Sequence, residues 1–160
     1  MNSEELTHFN AQGEAHMVDV GDKQYTKRVA VASGQIMLNE IAYNKVLHGH
    51  NKKGDVLEVA RIAAIQAAKQ TSTLIPLCHL LALTHVNISF TTDDNQRCIT
   101  LTAQTETRGQ TGVEMEALTA VSVGLLTIYD MLKAVDRSMM ICNVALLHKE
   151  GGNSGVWQRG

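Results

Sequence analysis

Proline occurs once in this chain, at Pro76, and no Pro-rich linker divides its 160 residues. Aromatic residues are scarce at 4%, so core volume must come from Leu, Ile, Val, Met and Ala, which suits helices packed on a sheet. No apolar run approaches the ~20 residues needed to cross a bilayer, and no membrane partner is expected. The start, Met1-Asn2-Ser3-Glu4-Glu5, is polar and acidic, unlike a signal or transit peptide. Basic excess is missing too. A net charge of -2 argues against a nucleic-acid binder, and a polyanionic small molecule would need locally placed cations. Three cysteines, Cys78, Cys98 and Cys142, form no paired spacing, so a reduced cytoplasmic protein is expected.

What is present fits one domain over residues 1–160. Hydrophobic residues make up 44% and charged residues 19%, enough for a single ordinary core. Residues 1–27 lack periodicity and read as an N-terminal arm. Val29 and Val31 alternate with small residues over 28–36, which predicts a strand. Asn39 can cap a short helix carrying Ile41, Ala42, Val46 and Leu47, with Gly49 near its end. Asp55 is a good N-cap for a second helix, on which Val56, Val59, Ala60, Ala63 and Ala67 recur at helical spacing. Ile75-Pro76-Leu77-Cys78-His79 is a turn. Residues 84–91 and 98–107 alternate on either side of Asp93-Asp94-Asn95, a hairpin pattern. Residues 113–135 make the longest helix, with Leu118, Val121, Leu125, Ile128 and Leu132 on one stripe. Residues 139–148 look like a closing strand, and 149–160 form a glycine-rich tail. This order predicts an α+β, ferredoxin-like antiparallel sheet with helices packed on one face. The uncovered face is expected to be apolar and to favour oligomers.

Several residues carry chemistry. Asp130 and Lys133 are three apart and share a helix face; such a pair is either a surface ion pair or, once desolvated, an acid–base unit. Glu114 and Glu116 open the same helix, where carboxylates complement the helix dipole or fork onto adjacent N–H donors of a purine or pterin. His79, beside Cys78 in the turn, can donate to a phosphate or shuttle a proton. Cys78, His79 and His85 lack paired zinc spacing, so no metal is expected. Lys52-Lys53-Gly54 before a helix start, and Lys149 before the glycines, are candidate anion contacts, although no Walker A pattern is present. Spacing alone gives His16 and Arg28 no role.

Longer motifs speak more clearly. His16-Met17-Val18-Asp19-Val20, Lys53-Gly54-Asp55-Val56, Ala60-Arg61-Ile62-Ala63 and Leu74-Ile75-Pro76-Leu77-Cys78-His79 occur in this order. Thr111-Gly112-Val113-Glu114-Met115-Glu116-Ala117-Leu118-Thr119-Ala120 and Thr127-Ile128-Tyr129-Asp130-Met131 follow. From about His8 to Gly155 the chain resembles the molybdenum cofactor biosynthesis protein C family. That resemblance implies a lyase converting 3',8-cyclo-7,8-dihydro-GTP into cyclic pyranopterin monophosphate plus pyrophosphate, with no cofactor. It implies a ferredoxin-like fold in a homohexamer, a trimer of dimers with interfacial active sites. By motif, Asp130, Lys133 and Lys53 match the catalytic residues. Leu77, Cys78, His79, Glu114, Met115 and Glu116 match substrate contacts, and Arg28, His16 and Lys149 match positions that hold the triphosphate or close the site.

The chain departs from the family pattern at Leu80, where proline is usual, and in the tail, where Glu150 and Asn153 replace a serine and a lysine. The departures put the tail's binding role in question. Two further readings stand beside this one. A different nucleotide cyclase or hydrolase on the same scaffold would turn over ordinary GTP. A catalytically silent pterin- or nucleotide-binding protein of the same pathway would have lost the catalytic lysines, which this chain retains.

Overall fold

A computed structural model describes residues 5–48 and 55–160. The elements run β1 (Thr26–Met37), α1 (Glu40–His48), α2 (Val56–Lys69), α3 (Thr71–Leu74), β2 (Leu83–Asp93), β3 (Cys98–Gly109), α4 (Glu114–Leu132), β4 (Met140–Glu150) and β5 (Trp157–Gln158). The five strands form one antiparallel sheet in the order β2-β3-β1-β4-β5, with α2 and α4 packed on one side. This is the expected ferredoxin-like α+β arrangement. Local chemistry accounts for the boundaries. Asp55 accepts from the N–H groups of Leu57 and Glu58 at 3.0 and 3.3 Å, satisfying two donors that the first turn of α2 would leave orphaned. The Asn39 side chain accepts from Ala42 N–H at 2.9 Å and starts α1 in the same way.

Strand register sorts the side chains. Ala30, Ala32, Gly34 and Ile36 of β1 lie opposite Thr105, Ala103, Leu101 and Ile99 of β3, all on the helix side. There they meet Val121, Leu125 and Ile128 of α4, all fully buried. The buried stripes differ slightly from the expected ones. On α2, Ala64 is buried while Val59 and Ala63 are half-buried; on α4, Ala117 and Ala120 are buried while Leu118 is half-buried. α4 ends at Leu132, short of the expected 135, and Lys149 and Glu150 belong to β4 rather than to the tail. By length and composition α4 matches a bilayer-spanning helix, but half of it is buried within the protein, as a core helix must be.

The uncovered face of the sheet corrects the expectation of apolar surface in part. Ser89, Thr102 and Ser33 form one cross-strand row, Thr91, Thr100 and Gln35 the next, and Asn87 and Gln104 extend the pattern. Gln35 Nε2 donates to Thr100 Oγ1 at 3.2 Å, and Asn143 Nδ2 donates to Gln35 Oε1 at 2.6 Å. The face is mixed: hydroxyls and amides occupy its middle, with the Lys27–Glu106 pair and Val29, Val31, Met37 and Met140 of the same alternation toward its ends and its β4 side.

Close approach of α2 and α4 depends on Gly124. A Cβ added there would strike the fully buried Leu101 side chain and come within 3.2 Å of Ala64 Cβ. Gly124→Val should therefore destabilise the fold by about 1–3 kcal/mol through overpacking, read from the denaturant midpoint. An unchanged midpoint would mean that the two helices can separate freely.

Candidate active site

The residues before α4 and the turn after α3 enclose a cleft of about 540 Å³, with Pro76, Cys78, His79, Gly112, Glu114 and Met115 in its walls. The N-terminal arm supplies the remaining side through His8, Val18, Val20 and Lys23. A second cavity of about 360 Å³ adjoins it, sharing Lys23, Thr111, Gly112 and Glu114, and extends to Arg28, Lys149 and Gly152-Asn153-Ser154. One elongated site results, with an apolar end around Pro76, Leu77 and Met115 and a cationic end around Arg28 and Lys149, Glu114 and Lys23 lying between them.

Glu116, only 3% exposed, is buried behind the Cys78 wall of the first cavity. Cys78 Sγ approaches its Oε2 at 3.8 Å, whereas its Oε1 is buried with no hydrogen-bond partner among the described residues. Burial pushes the Glu116 carboxyl up to about 7, since the charged form has lost its water. Burial first, and then the Glu116 charge, push the Cys78 thiol up to about 11, so it remains a weak S–H donor rather than a nucleophile. His79 Nε2 lies 2.5 Å from the carbonyl of Val18, which ties the turn to the arm. Met115 is exposed at the cleft wall.

Cations gather at the second end because of strand geometry. Lys149 of β4 pairs with Ala30 and so points to the helix side, where its Nζ meets Glu114 Oε1 at 3.0 Å. Arg28 is 7% exposed; its Nε donates to Gly109 O at 3.0 Å and its Nη2 to Gln24 O at 3.4 Å. The tail folds over this guanidinium. Gly152, at φ +74°, lies so close that a Cβ would collide with Arg28 Nη1. Lys23, which motif reading did not single out, lines both cavities. Among the described residues Lys23 has no ion-pair partner, so the second cavity holds three cations against the single carboxylate of Glu114.

Other expected site residues stand apart. His16 lines neither cavity; its N–H donates to His8 O at 2.9 Å, and His8 faces the cleft instead. Asp130 and Lys133 form an exposed pair, Nζ to Oδ1 2.8 Å, at the far end of α4. Sixteen residues of helix separate Asp130 from Glu114, about 24 Å at 1.5 Å per residue. The hydrogen bond and the charge of Asp130 hold the Lys133 ammonium above its usual range. Lys52 and Lys53 lie outside the described residues. His85 pairs with Glu106 on the uncovered sheet face, away from Cys78 and His79. Among the described residues, no group of three His, Cys, Asp or Glu side chains is arranged to hold a metal ion.

Comparison with protein families gives one match: the model of the MoaC family covers residues 17–152. That span includes every candidate site residue except His16.

Proposed function

Because the chain belongs to the MoaC family, and so to molybdenum cofactor biosynthesis, we propose that it is a cyclic pyranopterin monophosphate synthase, a cytoplasmic lyase acting on 3',8-cyclo-7,8-dihydro-GTP. One observation supports this most: an elongated cleft is backed at Cys78 by the buried Glu116 carboxylate, whose Oε1 has no partner among the described residues, and carries Lys23, Arg28 and Lys149 along its other part. A guanine-derived ring offers adjacent N–H donors to Glu116, and a triphosphate matches the three cations. The chemistry then needs a sugar hydroxyl to attack the nearest phosphorus. As that P–O bond forms, the bond to the bridging oxygen breaks, pyrophosphate leaves with the electron pair, and the hydroxyl proton passes to a base. Cations around the phosphates stabilise the charge that develops on the leaving group.

Lys133 and Lys53 are the proposed acid and base for these steps and for reopening of the purine-derived ring, with Asp130 orienting Lys133. The 24 Å or so along α4 keeps Asp130 and Lys133 away from their own chain's cleft. The reading therefore includes a site completed by a second copy, within a homohexamer built as a trimer of dimers. Burial at that interface would lower the Lys133 ammonium from its exposed, ion-paired state toward neutral pH. The test is turnover of the purified protein with 3',8-cyclo-7,8-dihydro-GTP beside Lys133→Ala. Wild type should release cyclic pyranopterin and pyrophosphate, and the variant should lose about 10²–10⁴-fold. No product from folded wild type would overturn the proposal.

A further inference from the structure

The arm that walls the cleft is fastened by few contacts. Three body side chains meet four carbonyls of residues 18–24. His79 Nε2 lies against Val18 O, Arg28 donates to Gln24 O, and Gln110 Nε2 donates to both Gly21 O at 3.0 Å and Lys23 O at 3.1 Å. Both neighbours of the Gln110 amide are acceptors, so its nitrogen must face them, and both of its hydrogens are used. The segment it grips is already pre-bent. Asp19 Oδ1 accepts from Gly21 N–H at 2.8 Å, and Lys23 N–H donates to Val20 O at 3.0 Å. The turn therefore presents two carbonyls to a single side chain that is 87 residues away in sequence.

We infer that Gln110 is a positioning residue: by clamping this turn it holds Lys23 where the two cavities meet, and so sets affinity for the polyphosphate part of the ligand. The inference rests on reading the cationic cavity as a triphosphate site. Lys23 is exposed and without an ion-pair partner among the described residues, so its place over the cavity depends on the backbone ties of this turn, two of which Gln110 supplies. Arg28 and Lys149 differ, since each grows from a strand of the sheet. Loss of the clamp should therefore weaken ligand binding without touching the groups that move protons.

The experiment compares wild type, Gln110→Met, Lys23→Met and the double variant in the assembled full-length protein. Methionine keeps the length of glutamine but donates no hydrogen bond. Titration calorimetry with inorganic tripolyphosphate should show about 3–10-fold weaker binding for Gln110→Met, the scale of one or two hydrogen bonds. The double variant should bind no worse than Lys23→Met alone, because Gln110 acts through Lys23. Amide exchange of residues 18–24 should quicken in Gln110→Met. With 3',8-cyclo-7,8-dihydro-GTP, KM should rise in parallel while kcat stays within about twofold, the sign of lost uniform binding. Equal tripolyphosphate affinity in Gln110→Met and wild type, additive losses in the double variant, or no binding by wild type would each overturn the inference. Should wild type bind tripolyphosphate but not turn over the nucleotide, the proposed reaction fails, while calorimetry and exchange still decide the role of Gln110.

Discussion

Lys133→Ala and Glu116→Gln chains, each severely impaired alone, are expected to regain activity when their subunits are mixed and allowed to reassemble. If each site takes its cleft from one copy and its Asp130–Lys133 pair from another, random mixing leaves about a quarter of sites with both halves intact. The expectation follows from a length. α4 is a continuous helix of 19 residues, and it carries Glu114 and Glu116 in its first turn and Asp130 in its last. A helix does not fold back on itself, so the two ends remain about 24 Å apart whatever the side-chain rotamers. Acid–base transfer needs heavy atoms within about 2.6–3.2 Å, or one intervening water. Recovery toward a quarter of wild-type turnover, appearing only under conditions that exchange subunits, is the expected outcome. Activity equal to the mean of the two impaired variants would mean that Asp130 and Lys133 take no part in a composite site.

Much of the fold was legible because its signals are local. Asp55 and Asn39 cap helices through side chains two or three residues from the N–H groups they accept from, and the hairpin announces itself through period-two runs around Asp93-Asp94-Asn95. α3 and β5 span four and two residues, too few for any period to show. Polar character of the uncovered face was written in Ser33, Gln35, Thr100 and Thr102, but alternation alone says that two faces differ, not which one a helix will cover.

The candidate site was legible in proportion to how much of it is contiguous. Leu77-Cys78-His79 and Glu114-Met115 line one cleft, with Glu116 buried behind Cys78. Lys23 was missed because its arm has no period, and its place depends on ties to residues far along the chain. Spacing correctly set Asp130 beside Lys133, yet spacing along a helix cannot say which of its ends faces the pocket. Any contribution of Lys53 falls outside the described residues.

Glu116→Gln should raise stability at pH 8 while lowering activity. In the folded chain the Glu116 carboxyl titrates near 7, against an ordinary value of 4.5. Between those values the folded state keeps a proton that the unfolded state has released, so stability falls as pH rises through that window. Above about pH 7 the penalty is complete, on the order of 3 kcal/mol at 1.36 kcal/mol per unit. Glutamine preserves the shape and removes the titration. Urea unfolding at a fixed protomer concentration should give nearly equal midpoints for wild type and variant near pH 4.5, and a higher midpoint for the variant at pH 8. A variant less stable than wild type at pH 8, or an offset independent of pH, would show that the carboxylate is already compensated within the fold. The expected result carries a functional argument. A buried carboxylate whose Oε1 meets no donor among the described residues burdens the folded chain, and packing alone would favour an amide at that position. What an amide offers there is one acceptor and one donor group, whereas a guanine-like edge presents two donors side by side. Only the carboxylate accepts both, so under the proposed function the ligand would restore the hydrogen bonding that burial removed.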